Sequence, residues 1–190
     1  MITGAGYTFT AKSFKAKVMG MLVRILYRYA FRKARTVIFQ NPDDLKEFCE
    51  RKLVNREKAY CVNGSGVNID RFSAVSLPDQ PRFLMVSRLL KSKGVKEYLE
   101  AAEEVKLRYP QAEFYLLGKY ELEMQDGINK EFVERFIKDG IVCRFEETSD
   151  VRPYYEKCSV YVLPSYREGT PRTVLEAMAM GRPIITTDAQ

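Results

Sequence analysis

The sequence predicts an α/β fold, a parallel sheet with helices on both faces, and three observations predict it. From residue 36 onward, short β-rich runs alternate with helical patterns almost without interruption. The 46% hydrophobic content of the 190 residues is enough for one such core. The glycine and basic turns fall where strands should hand over to helices.

Taken in order, residues 2–9 read as a short strand or strand end with two glycines. A helix over 11–34 follows, because Phe14, Val18, Leu22, Ile25 and Tyr29 recur at spacings of four and three and form one apolar stripe. Strands are expected at 36–39, 59–62, 82–86, 113–117, 141–145, 160–163 and 183–187. Helices are expected near 43–52, 95–109, 129–138, 151–157 and 171–180. Residues 73–81, with two prolines and small polar side chains, read as a linker. The last strand has no helix after it to cover the sheet, so a further N-terminal lobe and a C-terminal tail are expected beyond this polypeptide.

Composition excludes several functions. Four widely spaced cysteines without a C-x-x-C pair, and no histidine, leave almost nothing for a zinc site, so four reduced and mostly buried thiols are expected. The missing histidine also removes the usual general base and any imidazole-dependent triad. Proton handling falls to carboxylates or to the substrate. No apolar run reaches the length of a membrane span and no signal peptide opens the chain, which places it in the cytoplasm.

The net charge of +6 is local. Eight basic residues and no acidic one lie between Ala11 and Arg35, so the rest of the chain sums to −2. That argues against nucleic acid as a partner, since a nucleic-acid-binding domain spreads its basic surface across the fold. A helix with this stripe and these cations can instead lie on an anionic membrane surface, or pack between lobes with a solvated basic edge.

Three stretches carry chemistry. In SYREGTPRTVLEAMAMGRPIITTD, Thr170 is a good N-cap and Pro171 a favoured first helical residue, so a helix opens just after a strand. Its free N–H groups, together with Gly169 and Arg172, suit an anion at the carboxyl end of the sheet. Glu168 before the cap and Glu176 on the second turn can flank such a ligand and accept hydrogen bonds from sugar or ribose hydroxyls. In MVSRLLKSKG, Arg88 and Lys93 flank a strand-to-helix turn and can hold a diphosphate. In NGSGVN, Gly64 and Gly66 form a turn that fails as a dinucleotide fingerprint, leaving an ordinary turn or a close backbone approach.

These residues resemble the group 1 glycosyltransferases of GT-B architecture, whose pattern of a glutamate, seven residues and another glutamate is matched by Glu168 and Glu176 inside EGTPRTVLEAMAMGRP. The NGSGVNIDRF turn, the SRLLKSKG loop and the VYVLPSYREG strand and loop match in order and spacing. The resemblance implies one Rossmann-like lobe of a GT-B fold, truncated at both ends. Residues 1–35 would end an acceptor lobe and 36–190 would form the nucleotide-sugar-binding lobe. It implies a retaining, metal-independent transfer of a hexose or N-acetylhexosamine from a nucleoside-diphosphate sugar, a UDP-sugar, to a polysaccharide or lipid-linked glycan. No cofactor is implied, and the chain alone would be inactive.

By the same resemblance Arg88 and Lys93 bind the diphosphate, assisted by amides after Gly169. Glu168 contacts the transferred sugar and Glu176 holds the ribose, while the backbone around Val142 and Arg144, beyond Gly118, faces the base. The chain departs from the family at Glu146, Glu147 and Thr148, and at Lys119, Tyr120 and Glu121, where glycines are usual. Two other readings stay open. One is an inactive nucleotide-sugar-binding or membrane-docking module of this fold. The other is a hydrolase whose two glutamates straddle one bond at ~5–10 Å.

Overall fold

A computed structural model describes residue 2 and residues 14–188; apart from Ile2, the strand expected at 2–9 lies outside the described residues, as do residues 11–13 of the expected helix. By its contacts the chain divides into two compact units, one running to Gly66 and including Glu168–Pro171, the other comprising Val67–Arg167 and the segment from Arg172. By contacts the division falls after Gly66, whereas the family resemblance implies a lobe boundary after residue 35.

The first unit holds α1 (Phe14–Lys33), β1 (Val37–Phe39), α2 (Pro42–Glu50) and β2 (Ala59–Cys61). β1 and β2 pair in parallel, Val37 with Ala59 and Phe39 with Cys61, as a two-stranded sheet of their own. Ile2 bridges to Phe39, its N–H donating to the Ile38 carbonyl at 2.7 Å. β1 stops where Asn41 caps α2: its Oδ1 accepts from the Asp43 N–H at 2.7 Å, and Pro42 takes the first helical position.

Phe48 of α2 packs edge-on to Phe39 and Tyr27, each at 5.3 Å between centroids, and Phe31 joins them. That aromatic cluster decides which side of α1 packs within this unit. Of the stripe read from periodicity, Leu22, Ile25 and Tyr29 are exposed, at 53%, 54% and 66%. The helix instead turns Tyr27 and Phe31 inward, because their rings fill the space beside Phe48.

The second unit is a five-stranded, all-parallel sheet in the order β5-β4-β3-β6-β7. Its strands are β3 (Arg82–Val86), β4 (Glu113–Leu117), β5 (Cys143–Phe145), β6 (Val160–Leu163) and β7 (Ile184–Thr186). The connecting helices are α3 (Val95–Arg108), α4 (Lys130–Lys138), α5 (Arg152–Lys157) and α6 (Arg172–Ala179). The alternating pattern read from residue 36 thus spans two sheets, with the expected strands at 36–39 and 59–62 outside the larger one.

Leu84, Met85, Leu99, Leu116, Phe136, Tyr161 and Leu163 are almost wholly buried in this unit. Burying each such side chain is worth about 1.5–3 kcal/mol, which makes this core the main source of the fold. The outer strand β7 is partly exposed, as is Cys143 on β5. Of the four cysteines only Cys158 is buried; Cys61 and Cys143 are exposed, because both lie on short outer strands.

The strand order places the site. From β3 the chain steps outward to β4 and β5, then returns to lay β6 against the other side of β3 and steps out to β7. The loops leaving the carboxyl ends of β3 and β6 therefore part in opposite directions, and ligands of open α/β sheets bind in the crevice at such a reversal.

Candidate functional site

The loop after β3 runs from Ser87 to Gly94 and is anchored on several sides. Ser87 N–H donates to the Leu117 carbonyl at 3.1 Å, Leu89 to Lys119 at 3.0 Å and Lys91 to Asp126 at 2.8 Å. Gly118, at φ 152°, permits this approach, since a Cβ there would lie 1.8 Å from the Ser87 carbonyl oxygen. The loop after β6 is tied to it: Tyr166 N–H donates to the Ser92 carbonyl at 2.9 Å, and the Tyr166 hydroxyl donates to Glu97.

Arg88 lies on the first of these loops and is exposed. Among the described residues its guanidinium reaches the Met124 sulfur at 4.0 Å and makes no ion pair. Lys93 is half-buried in the last turn before α3. Gly94, the residue before α3, is left-handed at φ 74° and offers no side-chain cap, which leaves the first N–H groups of the helix to an anion. Beside them the buried Ser87 hydroxyl has no hydrogen-bond partner among the described residues, an unsatisfied polar group at the carboxyl end of β3.

α6 forms the other side. Tyr161 of β6 bridges the walls, its hydroxyl 2.7 Å from Thr173 Oγ1 and 3.2 Å from the Val86 carbonyl at the end of β3. Tyr155 donates to the Thr173 carbonyl at 3.1 Å and lies 3.3 Å from Glu176 Oε2. Glu176 is 9% exposed, with Arg172 Nε at 3.7 Å from its Oε1. Burial holds its carboxyl above the usual carboxylate range, while the Tyr155 hydroxyl and the charges of Arg172 and Arg71 pull the other way.

A carboxyl that binds its proton more tightly folded than unfolded contributes stability below the unfolded value, and that contribution is lost as pH rises through the folded one. Glu176→Gln should therefore raise the thermal midpoint at neutral pH and flatten its fall between acid and neutral conditions. Melting curves of the two proteins across that range check it, and an unchanged slope would contradict the burial argument.

The residues that the resemblance puts at the base lie at and just before β5. Val142 stands at the amino end of β5, 2% exposed, with its N–H directed at the Phe136 carbonyl at 3.3 Å. Level with Gly118 stand the Arg144 guanidinium and Glu146 instead. Arg144 donates to the Gly118 carbonyl at 3.0 Å, pairs with both Glu146 oxygens at 2.7 and 2.8 Å, and stacks over the Tyr120 ring at 4.4 Å. The two stretches where the resemblance implies glycines, 119–121 and 146–148, thus each supply one residue, Tyr120 and Glu146, to a cluster around Arg144.

The remaining candidates belong by contact to the first unit. Glu168, Gly169, Thr170 and Pro171 lie with Gln40 and Asn41: Asn41 Nδ2 donates to the Glu168 carbonyl at 3.0 Å, and the Thr170 hydroxyl donates to the Gln40 carbonyl at 3.1 Å. The Thr170 hydroxyl is thereby engaged away from a capping role, and α6 starts at Arg172, one residue after Pro171. Gly64 and Gly66 are both left-handed, at φ 78° and 72°. A Cβ on Gly64 would lie 2.6 Å from Thr170 Cγ2, so this turn packs closely on the segment that carries Thr170. Sequence reasoning missed Asn41, Tyr120, Tyr155 and Tyr161; only the proline after Asn41 signalled a capped helix there.

Three comparisons bear on this arrangement. An N,N'-diacetylbacillosaminyl-diphospho-undecaprenol alpha-1,3-N-acetylgalactosaminyltransferase of Campylobacter jejuni is 29% identical across the whole chain, which covers 52% of that protein. The chain thus spans about half the length of this relative. The structure of HepE from Anabaena in complex with UDP-glucose superposes with a TM-score of 0.72 at 20% identity, over 89% of this chain and 49% of that one. A sucrose-phosphate synthase from Thermosynechococcus elongatus superposes with a TM-score of 0.71 at 23% identity, over 98% of this chain and 47% of that one. These likenesses show the same Rossmann-like fold, that of a GT-B lobe. Residues 80–190, more than half of the chain and the whole switch-point crevice, match the family described as glycosyl transferases group 1; the chain belongs to that family.

Proposed function

We propose that this chain binds the nucleoside-diphosphate sugar of a glycosyltransferase that moves a hexose or N-acetylhexosamine from UDP to a polysaccharide or lipid-linked glycan. The supporting observation is the crevice between β3 and β6, where an exposed arginine without an ion pair and a buried glutamate border uncapped helix N–H groups. A diphosphate carries the charge that Arg88, Lys93 and the first amides of α3 and α6 would neutralise. Ionised Glu176 would accept hydrogen bonds from the ribose hydroxyls, and the Arg144 cluster would border the base. Glu168 is assigned to the transferred sugar. The C. jejuni relative acts on a diphospho-undecaprenol-linked sugar, and HepE binds UDP-glucose, as their names say; both fit this reading.

In the transfer, the bond between the anomeric carbon and the diphosphate oxygen breaks and the acceptor oxygen bonds to the same carbon on the same face, so configuration is retained. The acceptor's proton would pass to the departing phosphate, whose oxygen gains charge as the bond breaks. Arg88 and Lys93 would stabilise the charge that develops on the leaving group, the role a metal ion plays elsewhere. Among the described residues no helix is long and apolar enough to cross a membrane. We place the protein on the cytoplasmic side, with α1 in peripheral contact with the membrane surface.

Calorimetric titration of UDP and UDP-N-acetylglucosamine into the folded chain tests the donor reading. Saturable binding is expected, weakened about tenfold or more in Glu176→Gln, whose amide cannot match a carboxylate as acceptor. Absence of binding by folded protein would contradict it.

A further inference from the structure

The turn that carries Arg88 and Lys93 has little of its own to hold its shape. Arg88, Lys91 and Lys93 crowd three like charges into one short stretch. Lys91–Lys93 is a single 3-10 turn, preceded by Leu90, which offers no side-chain cap, and ended by the left-handed Gly94. A turn this short has poor internal hydrogen-bond geometry and leaves its first N–H groups without partners inside it, so its shape must be set from outside.

The cap comes from Asp126, 34 positions after Ser92, in the loop between β4 and α4. The Asp126 carbonyl accepts from the Lys91 N–H at 2.8 Å, and its Oδ2 accepts from the Ser92 N–H at 3.4 Å and from the Ser92 hydroxyl. Asp126 is held in turn. Leu90 and Gly127 form an antiparallel bridge, and the N–H of the buried Ile128 donates to the Leu89 carbonyl at 3.2 Å. Met124, which the Arg88 guanidinium reaches, belongs to the same loop. On its other side Ser92 offers its carbonyl to the Tyr166 N–H. One serine, through different atoms, thus ties the diphosphate turn to the loops that follow β4 and β6.

A carboxylate close to a phosphate subsite would repel the ligand unless its charge were engaged elsewhere. The Asp126 Oδ2 is engaged by Ser92, and hydrogen bonds to an ionised acceptor are the stronger kind. What the arrangement achieves is orientation. Lys93 directly follows Ser92, and α3 begins at Val95, so a shift of Ser92 moves both the cation and the first amides of the helix. A binding constellation has to be held within about 0.5 Å by groups outside it, and Asp126 is such a group.

We propose that Asp126 is a positioning residue of the donor site: through Ser92 it sets the turn so that Arg88, Lys93 and the first amides of α3 converge on a diphosphate. The inference rests on the donor reading given above. Calorimetric titration of UDP and UMP into the unaltered chain, Asp126→Ala, Asp126→Asn and Ser92→Ala tests it, with melting curves to show that each variant is folded. Asp126→Ala should weaken UDP binding about tenfold and UMP binding less than about twofold, because the loss falls on the second phosphate. Ser92→Ala should behave alike, and the double variant should lose no more than either single one, as for two residues of one linkage. Asp126→Asn keeps an oxygen acceptor for Ser92 and should recover most of what alanine loses.

Equal losses for UDP and UMP in Asp126→Ala would mean that the aspartate only supports the fold. UDP binding unchanged in both alanine variants would mean that the turn keeps its shape without the linkage. Either result overturns the positioning role and leaves the donor reading standing. An asparagine variant as weak as alanine would overturn the route through Ser92. An unaltered chain that binds UDP no better than UMP would instead remove the donor reading, and this inference with it.

Discussion

Replacing Arg182 by alanine should cost the second unit about 3–5 kcal/mol, since each buried carbonyl left without its donor costs ~1–3 kcal/mol and the lost side chain leaves a cavity. Arg182 is 2% exposed. Its Nε donates to the Met180 carbonyl at 3.0 Å, Nη1 to Cys158 at 2.9 Å, and Nη2 to Ser76 at 3.1 Å and to Val75. The planar guanidinium thus gathers four backbone carbonyls, two of them from the stretch that the sequence marks as a linker. Alanine would leave those acceptors without donors and open a cavity, and lysine could not reach them as a fork. Since small domains hold only ~5–15 kcal/mol in total, much of this unit's stability is at stake. Guanidinium denaturation should show a lower midpoint with an unchanged slope; a loss below about 1 kcal/mol would mean that the linker is fixed by other contacts.

The second large effect is expected at Gly94. Its φ of 74° would itself strain an alanine, and a Cβ there would meet the Pro164 carbonyl oxygen at 2.1 Å. Pro164 opens the loop after β6, so the substitution must push apart the two loops that form the crevice. Gly140, at φ 66° with nothing within 4 Å of where a Cβ would stand, provides the comparison. Gly140→Ala should cost about 1–2 kcal/mol from backbone strain alone and leave UDP binding intact. Gly94→Ala should cost more and weaken UDP binding by about tenfold or more. Equal behaviour of the two variants, read by melting and titration together, would show that the loop junction does not shape the site.

How much of this was legible in the sequence follows from what each residue's environment depends on. Local rules placed the strands of the larger sheet and its helices within a residue or two, because alternation, turn residues and apolar spacing act over a few positions. They could not say which sheet a strand joins, and so merged β1 and β2 with the other five. In α1 they found one apolar stripe, exposed at Leu22, Ile25 and Tyr29, and missed the second, Tyr27 and Phe31, which packs inward. Two stripes exist there, and the buried one is decided by Phe48, fifteen or more residues away in sequence.

The candidate site divides in the same manner. Arg88, Lys93 and Glu176 were readable from their places beside strand ends and helix starts, and Glu168 with Glu176 from the family pattern. Val142, second in the expected strand 141–145, stands just before β5, which starts at Cys143. Tyr155 and Tyr161 looked like ordinary core aromatics; their hydroxyls matter only because Thr173 and Val86 come within reach in the folded unit. Arg182 in GRP was silent for the same reason.

The central claim is that the Arg88–Lys93 turn holds a diphosphate. Titrating UDP and UMP into the unaltered chain and into Arg88→Ala tests it most directly. The unaltered chain should prefer UDP by about tenfold or more, since a charged hydrogen bond to the second phosphate is worth ~1.5–3 kcal/mol, and Arg88→Ala should bind the two nucleotides almost alike. A preference for UDP that survives intact in Arg88→Ala and in Lys93→Ala would contradict the account.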